Sequence, residues 1–359
     1  MTVAIDARLV GGRHTGDTTY WHGLLAGLAR TSADVRFLLY SNAPRPEGIP
    51  DDPRMVWIPL PHRSPRWWSL VAFPLAARRA GANVIHTQYN LSPLAGKAGV
   101  TTVHDVSFFI GPQWFTAKDR FMLRRFVPRS CARAARVITV SETSKREIEQ
   151  FIPRARGKVV VTPNALNPAI RPWQRDAAQA HVRDRLGIEG PFLLTVGTRW
   201  PRKNMRLAID AARLLPPSLP HRLVVSGKPG WGDDGDLADP RIVATGYVED
   251  DDLSALYSCA DLYLAPSRHE GFGLPLLEAF ACGCPVLCST GGAMPEVAGD
   301  AAAIEPSWEP SAWAERIGNL LADSGTLGSM RERGYARLTR FDWQSTAAKT
   351  LSVYREVAS

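Results

Sequence analysis

The chain has 359 residues, 45% of them apolar and 22% charged, with a formal net charge of +8. That length favours two domains over one, and no apolar run approaches the ~20 residues of a membrane span. The five cysteines are odd in number and widely spread, which argues against a disulfide framework and fits a reducing cytoplasm. The N-terminus has an acid at position 6 and no long apolar core, so it reads as a first strand and not as a signal peptide. Further strands are expected at Val35–Tyr40, Met55–Ile58, Asn83–His86, Val100–His104, Arg136–Val140 and Val159–Thr162. A helix over Ser141–Phe151 starts at a candidate N-cap serine. A polar segment from about Pro163 to Gly187 separates this half from a second set of strands. These fall at Phe192–Val196, Arg222–Ser226, Ile242–Thr245, Leu262–Ala265, Val286–Cys288 and Ala302–Ile304, with a helix over Asn204–Leu215. Apolar runs alternating with amphipathic stretches predict α/β units and two doubly wound parallel sheets. Ligands of such sheets bind at the C-terminal strand ends, so a cleft between the domains is the expected site.

Charge divides unevenly. Residues 1–167 hold 23 Lys and Arg against 11 Asp and Glu, a net of +12, and the remainder nets −4. The excess concentrates in two stretches that mix cations with aromatics. One runs from Pro61 through Trp67 and Trp68 to Arg79. The other runs from Trp114 to Arg136 with Lys118, Arg120, Arg124, Arg125, Arg129 and Arg133 against the single acid Asp119, and Pro128 is expected to interrupt its helix. Such stretches suit an anionic membrane surface as well as a plain solvated face. No nucleic-acid module accompanies them. The first βα turn, with Gly11, Gly12, Thr15, Gly16 and Asp17, is not G-x-G-x-x-G, which argues against a dinucleotide-dependent dehydrogenase. His86 and His104, the latter followed by Asp105, stand at expected strand ends where an imidazole can meet a sugar hydroxyl, although a strand-end histidine is more often structural.

The second half carries the denser chemistry. After its first strand, Gly197, Arg199, Arg202, Lys203 and Asn204 combine a tight turn, clustered cations and a helix start, a pattern suited to phosphate. Gly227 with Lys228, and Gly246 with Tyr247 and Val248, follow two more strands, where a ligand can approach backbone groups. In SRHEGFGLPLLEAFACGCPVLCS, residues 267–289, Glu270 and Glu278 stand eight positions apart around Gly271, Phe272, Gly273, Leu274 and Pro275. A glycine turn feeding a helix N-terminus favours an anion, and proline at the helix start presets the backbone. The two carboxylates can then reach different parts of one extended anionic ligand, and a sugar nucleotide has that shape. Cys282, Cys284 and Cys288 match no standard zinc spacing, so no metal site is expected.

Together these segments resemble the retaining glycosyltransferases of family 4, which have the GT-B fold of two Rossmann-like domains facing a central cleft. The carrying residues are Glu270–Glu278 (the E-x7-E motif), Pro201–Asn204, Ser226–Lys228, Gly246–Val248 and Pro295–Val297. Softer matches lie at Ile5–Arg8, Thr15–Gly16, Thr102–Asp105, Val140–Glu142 and Pro163–Asn164. The resemblance implies an acceptor-side domain over 1–167, a connector over 168–187, a donor-binding domain over 188–340, and a helix over 341–359 returning to the first domain. It implies that Lys203, helped by Arg202 or Arg199, neutralises a diphosphate and that Glu278 holds ribose hydroxyls. Glu270 would contact the donor sugar, the Gly271–Leu274 backbone would cradle phosphate and sugar, and His104 would face the reacting carbon. Gly197, Gly227, Lys228, Tyr247 and Val248 would complete the donor side, and Gly16, His86 and Asp105 the acceptor side. No cofactor or metal is implied. The donor is GDP-mannose first, by likeness to mannosyltransferase-like members, or a UDP-hexose, and the acceptor a glycan or a lipid-linked glycan on the cytoplasmic face of a membrane. Retention is expected either by front-face attack, with the leaving phosphate as base, or through Glu270 as nucleophile. Thr198 stands where many relatives have arginine, which leaves a second phosphate cation unassigned.

Two other readings remain open from the residues. A nucleotide-sugar epimerase or a hydrolase would use the glutamates for acid–base work, and a hydrolase needs them ~5–10 Å apart across one glycosidic bond. A non-catalytic sugar-nucleotide or lipid-binding protein would keep the fold without the chemistry.

Overall fold

The computed structural model describes residues 1–11, 16–32, 34–61, 64–231 and 237–359. Gly12, Thr15, His62 and Arg63 of the segments above lie outside the described residues. Two compact units are formed: Met1–Ala165 with Asp342–Ser359, and Leu166–Phe341.

In the first unit, seven strands are described: β1 (Thr2–Asp6), β2 (Arg36–Ser41), β3 (Met55–Pro59), β4 (Val84–Gln88), β5 (Gly99–Thr102), β6 (Arg136–Thr139) and β7 (Val159–Val161). They pair in the order β3-β2-β1-β4-β5-β6-β7, all parallel. The interior strands are mostly β-branched or apolar on both faces, as a sheet covered by helices on both sides requires. β1 shows this best, with Val3, Ala4 and Ile5 wholly buried.

The last helix, Trp343–Ala358, packs on the helix Gly16–Ala29. Close approach there depends on a bare backbone: a Cβ at Gly23 would lie 2.0 Å from the Trp343 ring. Asp342 caps this helix by accepting from the Ser345 amide at 2.8 Å.

The basic helix Ala117–Arg133 runs through Pro128 without a break, contrary to the expected interruption. It anchors by Val127, Ser130 and Cys131, and holds Arg120, Arg124, Arg125, Arg129 and Arg133 in solvent.

In the second unit six strands are described: β8 (Phe192–Val196), β9 (Arg222–Ser226), β10 (Ile242–Gly246), β11 (Leu262–Ala265), β12 (Val286–Cys288) and β13 (Ala303–Ile304). Their order is β10-β9-β8-β11-β12-β13, again parallel. The helices Met205–Arg213 and Pro310–Ala322 cover one face, with Trp313 fully buried among Leu193, Leu223 and Leu287. Residues 168–187 belong to this unit and are not a free connector. Their helix Arg175–Leu186 packs on the helix Asp250–Cys259, fixed by Arg175 to Asp261 at 2.6 Å and His181 to Asp252 at 2.7 Å.

The chain order reverses between β1 and β4 in one sheet and between β8 and β11 in the other. At such a reversal adjacent loops leave in opposite directions and open a crevice at the C-terminal strand ends.

Candidate active site

In the second unit the crevice loops are the ones after β8 and β11. The loop after β8 ends in a short turn, Pro201–Lys203, and in Asn204, held at φ 51°. Asn204 occupies the cap position of the helix Met205–Arg213, but its side chain caps nothing there. Its amide donates to the Pro266 carbonyl at 3.3 Å and so ties the two crevice loops together. The Arg268 amide donates to the Arg202 carbonyl at 2.8 Å, a second tie.

Across this seam three charged side chains meet. Lys203 Nζ lies 2.7 Å from Glu270 Oε1 and Arg202 Nη1 2.9 Å from Oε2. The same Arg202 nitrogen donates to the His269 carbonyl at 2.6 Å. All three side chains are largely buried. Burial opposes ionisation of Glu270, but Arg202 and Lys203, with the Ser267 hydroxyl, outweigh it and hold the carboxyl well below the usual carboxylate range. Glu270 is therefore a fixed anion with both oxygens engaged. It is a poor proton donor and a weakened nucleophile. The cluster as a whole carries one positive charge, which suits a phosphate.

Gly273 (φ 103°) turns the chain into the helix Leu274–Ala281, with Pro275 in its first turn. Gly271, Phe272, Gly273 and Leu274 are buried, and the Phe272 ring packs edge-on against Phe341. Glu278 sits one turn into this helix and is buried, and the Tyr257 hydroxyl donates to its Oε2 at 3.2 Å. Burial pushes its carboxyl up to about 7, the Tyr257 bond opposes this, Asp250 adds to it and Lys203 opposes it. The two glutamates of one segment thus differ in kind: Glu270 is locked as an anion, and Glu278 changes charge near neutrality. Tyr257 gave no sign of this role in the sequence, where it looks like any core tyrosine.

The strand ends after β8, β9 and β10 form a floor of bare backbone. Gly197 (φ 138°) and Gly227 (φ 143°) lie so close that a Cβ on Gly227 would stand 1.9 Å from the Gly197 carbonyl oxygen. The Gly197 amide donates to Ser226, that of Gly227 to Gly246, and that of Arg199 to Lys228. Lys228 Nζ lies 4.5 Å from the centre of the Tyr247 ring, which is 41% exposed beside half-buried Val248. The structure therefore brings Gly197, Arg199, Arg202, Lys203, Gly227, Lys228, Tyr247, Val248 and the Glu270–Glu278 segment to the C-terminal strand ends of one sheet.

In the first unit, His104 lies two residues past β5, so that strand is shorter than expected. Its ring is edge-on to Tyr20, with centres 4.9 Å apart, and Nε2 is 3.5 Å from Asp17 Oδ1. Burial lowers the pKa of His104, while Asp17 and Asp105 oppose the shift. Nε2 is a buried polar atom with no hydrogen bond among the described residues, the kind of atom a ligand hydroxyl satisfies. Gly16, exposed, opens the helix Gly16–Ala29 that carries Asp17 and Tyr20.

One acceptor-side expectation is corrected. His86 is wholly buried inside β4, and both ring nitrogens are used: Nδ1 meets the Tyr354 hydroxyl at 2.6 Å and Nε2 the Thr102 hydroxyl at 2.8 Å. It cannot meet an acceptor. Asp105 is half-buried, and its Oδ1 accepts from the amide and hydroxyl of Ser107 at 2.8 and 2.6 Å.

All five cysteines are free and buried. Among the described residues no group of three or more His, Cys, Asp or Glu is placed to hold a metal ion.

Comparison with known proteins agrees with this geometry. Residues 15–170 match the family described as Glycosyltransferase Family 4, and residues 190–323 the one described as Glycosyl transferases group 1. O-antigen chain mannosyltransferase B of Escherichia coli is 33% identical over 71% of this chain and 70% of its own length. The serotype-specific mannosyltransferase WbdA of the same organism is 27% identical over 69% of this chain, which spans about a third of that larger protein. Among solved structures, Anabaena HepE in complex with UDP-glucose superposes with a TM-score of 0.73 at 18% identity, over 98% of this chain and 99% of its own. The shared architecture is the GT-B fold, and the chain is a glycosyltransferase that belongs to family 4.

Proposed function

We propose that this enzyme transfers a hexose, mannose in the first instance, from a nucleotide diphosphate sugar to a glycan or lipid-linked acceptor, with retention at the anomeric carbon. The observation that carries this reading is the Arg202–Lys203–Glu270 cluster at the crevice of the second sheet. Its surplus positive charge and the N-terminus of the Leu274–Ala281 helix suit a diphosphate, and Glu278, one turn on, suits a ribose hydroxyl. Mannose and GDP are supported by likeness to two mannosyltransferases, and UDP is the alternative that a UDP-glucose-bound neighbour suggests.

With Glu270 held by two cations, front-face attack is the favoured course. The acceptor oxygen bonds the anomeric carbon as the bond to the diphosphate oxygen breaks, and the hydroxyl proton passes to that departing oxygen. Lys203 and the helix N-terminus stabilise the charge that develops, without a divalent metal. His104 sits in the acceptor-side unit with an unsatisfied nitrogen for a sugar hydroxyl.

The first unit is proposed to rest on an anionic membrane through the helix Ala117–Arg133, where Phe121 (66% exposed) and Phe126 stand among the arginines. No helix among the described residues is long and apolar enough to cross a membrane.

A thermal-shift panel of GDP, UDP, ADP and their sugars tests the donor. GDP and GDP-mannose are expected to stabilise most, and sugar transfer to proceed undiminished in EDTA. Stabilisation by none of the six, or transfer abolished by EDTA, would overturn the reading.

A further inference from the structure

We propose that Tyr354 of the C-terminal helix is a positioning residue for His104, acting through a buried hydrogen-bond relay of His86, Thr102 and Tyr20. The relay is continuous. The Tyr354 hydroxyl meets His86 Nδ1 at 2.6 Å, His86 Nε2 meets the Thr102 hydroxyl at 2.8 Å, and that hydroxyl meets the Tyr20 hydroxyl at 3.0 Å. Tyr20 then presents its ring edge to His104, 4.9 Å between centres at 85°. All four relay side chains are buried.

A neutral imidazole has one donor and one acceptor, so the chain can run in one direction from end to end. His86 is kept neutral: burial, then the nearness of His104, lowers its pKa to about 3. Trp21 stacks obliquely on His86 at 5.0 Å and donates to Gln88 Oε1 at 2.7 Å, which fixes the ring from the side. Two further groups flank the buried His104 ring among the described residues. Its Nε2 lies 3.5 Å from a half-exposed Asp17, and its remaining ring neighbour is Tyr89, at 5.9 Å. Tyr89 is itself held at φ 59°, one of two non-glycine residues with positive φ among the described residues. Tyr20 is the nearer of these two ring neighbours of His104, and it is pinned by a hydrogen-bond chain whose far end is the C-terminal helix.

The inference rests on His104 acting in transfer, so the test keeps the two apart. Tyr354→Phe removes only the hydroxyl. The control, Glu356→Gln, breaks the same helix's surface ion pair with Arg136 and touches nothing in the relay. Two readouts are taken on full-length protein: the ring 15N and 1H NMR signals of His104, assigned with His104→Gln, and steady-state transfer. Tyr354→Phe is expected to shift the His104 ring signals and to lower kcat about tenfold with donor KM unchanged, the size of effect a slightly misplaced group produces. Glu356→Gln is expected to leave both as they are. Unmoved His104 signals in Tyr354→Phe, or equal effects of the two substitutions, would overturn the relay. If His104→Gln keeps full transfer activity, the role of His104 falls while the NMR comparison still decides the relay. Tyr20→Phe, which keeps the ring and cuts the last hydrogen bond, is expected to reproduce the signal shift. A Tyr354→Phe protein that fails to fold leaves Tyr20→Phe to decide, and no shift there would equally overturn the relay.

Discussion

Over six strands the two sheets share one order, the first adding β7 at its edge, and they differ in what they place at the reversal. In the second unit the loops after β8 and β11 bring together three charges, beside a bare-backbone floor at the ends of β8, β9 and β10. In the first unit β4, the turn after β5 and the helix Gly16–Ala29 bring together aromatic rings, a neutral buried histidine and one unsatisfied imidazole nitrogen. The same topology therefore supplies a crevice twice, and in the proposed function the cluster with surplus positive charge takes the charged donor and the His104 side meets a sugar hydroxyl. Fold alone would not tell donor side from acceptor side.

The largest test of that division sets Lys203→Ala against His104→Ala. Removing Lys203 takes away one of the two cations on buried Glu270 and should cost several kcal/mol, as broken buried pairs do, on the order of 3. Nucleotide-induced thermal stabilisation should vanish and transfer fall by about a hundredfold or more. His104→Ala should lower transfer comparably and leave the nucleotide shift intact. If both variants lose nucleotide binding, the division between the two crevices is wrong.

A smaller effect concerns Glu278. Its folded pKa of about 7 lies above the ordinary carboxyl value, so the folded protein holds that proton more tightly than the unfolded chain. Ionising it therefore costs stability as pH rises from about 4.5 to 7, and the cost is complete above 7. A ribose hydroxyl donating to the carboxylate favours the ionised form. Nucleotide affinity should accordingly rise severalfold between pH 6 and 8, with Asp250 and Lys203 as the charges acting on the group. Glu278→Gln should flatten that profile, and calorimetric titration at three pH values would show a surviving slope.

The smallest expected effect separates the units by charge. The protein should sediment with anionic liposomes and release at about 0.5 M salt, as screened charges do. Phe121→Ser with Arg124→Ser and Arg125→Ser should weaken this without changing the nucleotide shifts. Equal binding to neutral liposomes would remove electrostatics from the account.

Much of this was legible in the chain. The strand runs emerge within a residue or two because parallel strands buried on both faces are short apolar blocks with clear ends. Glu270, Glu278 and Lys203 were legible from their spacing and their turn. Pairings between distant segments were not: Arg202 lies 68 positions from the Glu270 that it grips, and Tyr257 and Tyr354 look like any core tyrosine. His86 was misread because a strand end in sequence does not reveal which helix will cover it. Here a helix from the far end of the chain does so. The intact helix through Pro128 shows the converse, with packing of Val127 and Cys131 overriding a local breaker.

The glycine floor also bears on how this enzyme can be redesigned. Since a single methyl at Gly227 would collide with the end of a neighbouring strand, that position of the floor has no room for variation in a mutant library. In the proposed function, donor preference is better steered from the walls than from Gly227. Lys228 and Tyr247 are the natural positions to randomise, because they border the floor without propping it open.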